Sequence, residues 1–212
     1  MISIAVIDYG MGNLRSVSKA LEHVAPDARV EVTSDPEAVR RADRVVFPGQ
    51  GAMPDCMREL DARGLRPAVL AAARSKPFLG ICIGLQMLFE RSEEGDTPGL
   101  AVFPGRVKRF ALEALKDAQG GKLKVPHMGW NEVRQTAPHA LWRGIADGNR
   151  YYFVHSYYVE AGRPELVAGT SNYGFPFTCA VAQDNIFAVQ FHPEKSQTAG
   201  LALLANFVTW KP

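Results

Sequence analysis

Two short stretches of this chain hold the three side-chain types that together perform acyl transfer. In the first, Lys76-Pro77-Phe78-Leu79-Gly80-Ile81-Cys82-Ile83-Gly84-Leu85-Gln86, a cysteine has a glycine two places before it and another two places after. The apolar run Phe78 to Ile81 leads into it, and an amphipathic segment begins at Leu85. The pattern reads as a nucleophile elbow: a buried strand ends, the chain turns sharply and a helix starts over Leu85–Glu90. The glycines let the backbone pass close to its neighbours. A thiol at such a turn lies above a helix N-terminus, whose partial positive charge favours a thiolate. The competing reading is a structural cysteine between two packing glycines.

The second stretch, Phe187-Ala188-Val189-Gln190-Phe191-His192-Pro193-Glu194, reads as a buried strand ending in His-Pro-Glu. His192 and Glu194 are two apart, so an extended chain points both to one side. Pro193 restricts its own φ and biases His192 towards an extended backbone. A carboxylate beside an imidazole sets its tautomer, and an imidazole beside a thiol draws the proton from sulfur. Cys82 as nucleophile, His192 as base and Glu194 as the group that orients it make a complete set. Taken alone, the second stretch is equally a strand end with a surface His and Glu.

Elements must bring these groups together. Ile2 to Asp8, Arg29 to Thr33, Arg44 to Phe47 and Phe78 to Ile81 are short apolar strands. They alternate with helical patterns at Leu14–His23, after the Asp35-Pro36 cap, and at Asp55–Arg63 and Leu65–Arg74. That alternation predicts a parallel sheet covered by helices on both faces. The second half differs. Gly105–Phe110, Tyr151–Val154, Leu166–Ser171, Thr178–Ala182 and Ile186–Phe191 are short strands between turn residues, which predict a mixed or antiparallel extension of the sheet. Ser92–Gly99 reads as a polar loop, Ala111–Lys124 as an exposed hairpin or loop, and Thr198–Trp210 as a closing helix. The predicted class is α/β: one domain over 1–212, with a mostly parallel open sheet, helices on both faces and that extension.

Two glycine-rich loops follow strands. Tyr9-Gly10-Met11-Gly12-Asn13 lacks the three-glycine dinucleotide fingerprint, which leaves a strand-to-helix turn as the plainer reading. Pro48-Gly49-Gln50-Gly51 lies beside the elbow strand. A tetrahedral oxyanion needs at least two donors: the Ile83 N–H after the nucleophile is one candidate, and a peptide of the Gly49-Gln50 loop is the other. Glycines on both sides of Gln50 make a peptide flip sterically cheap, so the loop is a candidate switch.

The chain of 212 residues is 47% hydrophobic and 22% charged with a net charge of +2, a balance that makes no case for nucleic-acid or membrane binding. Cys56, Cys82 and Cys179 have neither disulfide-framework nor metal-ligand spacing, which points to a reducing compartment. The N-terminus reads as a strand rather than a leader, and the nearly apolar stretch Pro77–Phe89 is too short to span a bilayer. A cytoplasmic protein without metal or cofactor is expected. His127 and His155 are weak metal-ligand candidates, and His23 and His139 read as surface residues.

Gly80-Ile-Cys82-Ile-Gly84-Leu-Gln86 and His192-Pro-Glu194, in that order, resemble the class I (triad) glutamine amidotransferases over essentially the whole chain. The resemblance implies hydrolysis of the side-chain amide of glutamine through a γ-glutamyl thioester on Cys82. It implies contacts of Gly51, Gln86, Ser156 and Tyr157 with that substrate. Further motifs are Asp8-Tyr9-Gly10-Met11-Gly12-Asn13, Val125-Pro-His-Met-Gly-Trp130-Asn131, Tyr151-Tyr152-Phe-Val-His155-Ser156-Tyr157 and Lys195. They resemble a subfamily of glutaminase subunits whose partner is a cyclase subunit on a (β/α)₈ barrel, together a heterodimer. By that resemblance Asn13, Trp130, Tyr152 and Lys195 lie at the partner interface and ammonia gate. Read from residue type alone, Trp130 and Tyr152 are core aromatics and Lys195 a solvated charge. The alternatives are the glutaminase of another synthase, such as pyridoxal phosphate synthase, and a non-catalytic binding protein on the same fold.

Overall fold

The structure is a computed structural model that describes residues 1–111, 115–116 and 119–212. The first half alternates as the sequence predicts: β1 (Ser3–Ile7), α1 (Leu14–Val24), β2 (Arg29–Thr33), α2 (Pro36–Arg41), β3 (Arg44–Gly49), α3 (Met53–Ala62), α4 (Arg66–Ser75) and β4 (Phe78–Cys82). Asp35 caps α2 through its carboxylate, which accepts from Glu37 N at 2.9 Å, with Pro36 in the first turn. Strands β3 and β4 are buried along their whole length, as strands covered on both faces must be.

After β4 the sequence expectation fails in one place. The helix expected over Leu85–Glu90 is a single turn, α5 (Ile83–Gln86), and the chain re-enters the sheet as β5 (Phe89–Ser92). Every residue from Ile83 to Phe89 is buried, so the segment has no polar face to show solvent. Its backbone groups are claimed elsewhere: Met87 O accepts from Leu100 N at 2.7 Å, and Leu88 O from Val102 N at 2.8 Å. The polar segment 92–99 holds a 3₁₀ turn, Glu94–Asp96, and a two-residue strand, β6 (Thr97–Pro98).

The second half comprises β7 (Phe103–Arg109), β8 (His127–Glu132), β9 (Arg134–Gln135), β10 (Arg150–His155), β11 (Tyr157–Ala161), β12 (Val167–Asn172), β13 (Pro176–Gln183), β14 (Ile186–Val189) and the closing helix α6 (Gln197–Thr209). The main sheet runs β2-β1-β3-β4-β14-β13-β11-β7-β5-β6, with β12 and β9 stacked outward from β13. Pairing is parallel from β2 to β14 and turns antiparallel at β13. Of the hairpin expected over Ala111–Lys124, the described part includes a bridge between Lys116 and Lys122; residues 112–114 and 117–118 lie outside the described residues.

Two consequences matter for the site. The parallel neighbours β3, β4 and β14 end side by side, with Gly49 opposite Cys82 and Val189 opposite Ile81. That is the carboxyl edge where ligands of open parallel sheets bind. Strands β8 and β10 form a separate antiparallel ribbon in which Trp130 opposes Tyr152 and His127 opposes His155.

Candidate active site

Cys82 sits at the last position of β4 with φ 56° and ψ −112°, a conformation that costs an L-residue energy. This is the strained turn of an elbow. Gly84 is required next to it: a Cβ there would lie 1.8 Å from Phe47 O on the neighbouring strand. Gly49 is crowded in the same way, its would-be Cβ meeting Tyr9 Oη at 2.5 Å and Ile83 Cβ at 2.8 Å. The two oxyanion candidates, Ile83 and the Gly49-Gln50 loop, therefore lie against each other beside the thiol. Because α5 is one turn long, the electrostatic help expected from a full helix N-terminus shrinks to the few N–H groups of that turn.

His192 follows β14, its backbone N–H held by Tyr152 O at 2.9 Å. Its Nδ1 lies 2.9 Å from Glu194 Oε1, and both side chains are almost wholly buried. Its Nε2 is buried and faces the Cys82 sulfur. Burial opposes protonation of His192, but the charge and hydrogen bonding of Cys82, followed by those of Glu194, outweigh it and push the imidazole pKa up to about 10. The ring is built to take a proton and keep it until a leaving group needs one. Among the described residues the second oxygen of Glu194 has no hydrogen-bond partner.

A cavity of about 250 Å³ opens onto Cys82 and His192. Gln50, Gly51, Ile83, Gln86, Ser156 and Tyr157 line it, so the structure brings the residues expected for thiol, oxyanion and substrate to one place. Its volume falls below the range of about 300–1,000 Å³ typical of drug-sized ligands, which suits a single small molecule. Gln86, 1% exposed, gives its Nε2 to Tyr157 O at 3.2 Å and to Gln190 Oε1 at 2.9 Å. Among the described residues its Oε1 has no hydrogen-bond partner.

Sequence reasoning missed two lining or supporting groups, Glu94 and Gln190. Glu94 lines the cavity from the segment read as a plain polar loop, one oxygen accepting from Met53 N at 2.8 Å. Gln190 stands behind Gln86, and its Nε2 lies 3.7 Å from Cys82 Sγ. Its position two residues before His192 was the available signal. His155, a weak metal-ligand candidate in the sequence, lines the cavity as part of a buried relay. Its Nδ1–H donates to Tyr157 O at 2.7 Å, and its Nε2 faces His127 Nδ1 at 2.8 Å. Asn131 Nδ2 then lies 3.2 Å from His127 Nε2. The peptide oxygen only accepts, so His155 is neutral with its proton on Nδ1, and His127 donates in turn. Among the described residues no group of three His, Cys, Asp or Glu is placed to hold a metal. His139, expected at the surface, is half-buried: its ring packs 4.6 Å from Phe187 and 5.0 Å from Trp210, and burial lowers its pKa.

The residues expected at a partner interface cluster as well. Trp130 is 39% exposed and Met128 61% exposed, on one face of β8. The Trp130 ring lies 6.2 Å from Tyr152 at 74°, and Lys195 Nζ lies 5.8 Å over the Tyr152 ring. Trp130 is thus no core aromatic, and Lys195 is half-buried rather than fully solvated. Asn13 stands at the N-terminus of α1, which packs against the Pro193–Lys195 turn.

An elbow thiol, a carboxylate-held imidazole and paired oxyanion candidates at the carboxyl edge of an open sheet define a triad amidotransferase. The sequence model of the family "Glutamine amidotransferase class-I" matches residues 5–210, and the chain belongs to that family. It is 70% identical over 211 residues to the imidazole glycerol phosphate synthase subunit HisH of Thiobacillus denitrificans, covering 100% of this chain and 92% of the relative. It is 68% identical to the subunit of the same name from Nitrosospira multiformis, with 100% of both chains covered. Solved structures share the fold. PurLQS from Thermotoga maritima matches with a TM-score of 0.70 at 16% identity, over 97% of each chain. The Trypanosoma brucei CTPS glutaminase domain with bound acivicin matches with a TM-score of 0.66 at 17% identity, over 100% of this chain and 96% of that one.

Proposed function

We propose that Cys82, His192 and Glu194 hydrolyse glutamine and that the ammonia released is passed to a cyclase. The chain is the glutaminase subunit of an imidazole glycerol phosphate synthase, as its identity to full-length subunits of that name supports. The proton of the Cys82 thiol passes first to His192, and the sulfur then attacks the amide carbon. The imidazolium gives that proton to nitrogen, the C–N bond breaks and ammonia leaves. His192 then removes a proton from water, which attacks the thioester; glutamate leaves and the proton returns to sulfur. The observation that carries this reading is the geometry around His192, whose Nδ1 lies 2.9 Å from Glu194 Oε1 and which shares one cavity with Cys82.

The tetrahedral oxygen is received by Ile83 N–H and a peptide N–H of the Gly49-Gln50 loop. The α-ammonium of glutamine meets two acceptors, the free Gln86 Oε1 and Glu94, while Gly51, Ser156 and Tyr157 close the cavity around the rest. The partner is a cyclase on a (β/α)₈ barrel, docked on Trp130, Tyr152, Lys195 and Asn13. The hydrogen bonds from His192 N to Tyr152 O and from Tyr152 N to Ser196 Oγ, 3.0 Å, tie that face to the triad. Residues 1–212 act as one amidotransferase domain in the cytoplasm; among the described residues no helix is long and apolar enough to cross a membrane.

The test is a Cys82→Ala complex with the cyclase. It is expected to lose glutamine-dependent synthesis and to keep synthesis from added ammonium salt. Wild-type glutamate release by Cys82→Ala would refute the triad assignment.

A further inference from the structure

The side chain of Gln190 is completely buried. Its orientation follows from one peptide oxygen. Tyr157 O can only accept, so the Gln86 atom 3.2 Å away must be its NH₂ group. That same nitrogen lies 2.9 Å from the Gln190 amide, so the Gln190 atom facing it must be the carbonyl oxygen. What remains of Gln190 is its NH₂, and this stands 3.7 Å from Cys82 Sγ. Tyr157 O is itself immobilised from the other side by His155, whose Nδ1–H donates to it at 2.7 Å and which leans on His127. Each amide is thereby held in one of its two possible orientations by groups that cannot reverse their own polarity.

We propose that Gln190 is a fourth catalytic residue, which donates an N–H to the Cys82 sulfur and holds it for attack. The assignment rests on the reading of Cys82 as nucleophile. Gln190 keeps its protons throughout: it transfers nothing, but it faces an atom that carries negative charge on the way to the thioester and again when the thioester breaks. His192 supplies the mobile proton on one side of the sulfur, and Gln190 supplies a fixed dipole on the other. A leucine at position 190 would fill the same space without a donor. A glutamate would set an acceptor against the sulfur.

Gln190→Leu and Gln190→Glu, each assembled with the cyclase, test this by three readouts. Hydrogen bonds to charged groups are worth enough that kcat for glutamine should fall about 10–100-fold in Gln190→Leu, with KM changed less than threefold. The pH midpoint for iodoacetamide labelling of Cys82 should move up in Gln190→Leu and further up in Gln190→Glu. Synthesis driven by ammonium salt should stay at the wild-type rate, which shows that the cyclase is intact, and co-elution with the cyclase together with a wild-type denaturant midpoint establishes that the variant is folded and docked. If Gln190→Leu does not fold, the nearly isosteric Gln190→Glu is read alone with the same expected signs. A labelling midpoint and kcat equal to wild type in the folded variants overturn the proposal. A wild-type complex that releases no glutamate overturns the glutaminase reading instead.

Discussion

His192 and the pair His127–His155 are buried to the same degree, yet they hold opposite protonation states. Burial pushes His127 down to about 4 and His155 down to about 3, because aromatic neighbours supply no charge to offset it. The His127 ring lies 4.9 Å from Phe153 and 4.0 Å from Tyr173, and Phe110 and Phe177 pack around both imidazoles. At His192 the same burial is overridden by a thiol and a carboxylate. The difference teaches that burial sets how much a neighbouring charge counts, and the neighbour sets the sign. One region handles protons; the other holds a peptide oxygen still while remaining neutral.

The largest effect is expected from removing the charge that separates them. Glu194→Gln keeps an acceptor for His192 Nδ1 but no anion, so kcat for glutamine should fall by about 10²–10⁴, the usual range for general acid–base assistance. Steady-state glutamate release measures it, and a loss below threefold would mean that burial and Cys82 suffice. Next in size is the proposed partner face, which reaches His192 through Tyr152. Trp130→Ala should weaken cyclase binding by about 2 kcal/mol, as exposed aromatic anchors do. Calorimetric titration with the cyclase reads this directly, and unchanged affinity would remove Trp130 from the interface.

The smallest effect concerns stability. An unperturbed histidine titrates near 6.5. Above that pH His127 and His155 are neutral folded or unfolded and contribute no pH dependence. As pH falls below 6.5 the unfolded chain takes up protons that the folded chain refuses until about 4 and 3, so stability is lost through that window. His192 runs the other way: its contribution is complete below 6.5 and disappears as pH rises through about 10. His155→Phe should cost about 1–3 kcal/mol at pH 7.5, because the His127 donor loses its acceptor. It should also flatten the fall in stability between pH 6.5 and 4.5. Denaturant midpoints across that range measure both; an unaltered slope would mean that other groups own the acid limb.

Much of this was legible in the chain itself, because the informative residues carry local constraints. Glycines flanking Cys82, proline between His192 and Glu194, and fully apolar strands each leave few conformations open. The helix expected over Leu85–Glu90 was not, since a nearly apolar run fits a buried turn and strand as well as a helix face, and only pairing with β7 decides between them. Glu94 and Gln190 were missed for a related reason. Their roles come from contacts across the fold, to Met53, Gln86 and Cys82, and residue type alone does not announce them. His127 and His155 read only as weak metal-ligand candidates because their partners, opposite on β8 and β10, are each other.

The central claim is that this site delivers ammonia to a docked cyclase and is switched by it. Glycine at 49 and 51 lets the loop beside Ile83 turn its peptide, and a partner changes that balance only by its differential affinity for the two loop states. Glutamate release should be measured for the chain alone, with cyclase, and with cyclase plus its nucleotide substrate. Gaining one oxyanion donor predicts a rise of about 10²–10³ on activation. Equal rates in all three conditions would contradict the switch and mark a free-standing glutaminase.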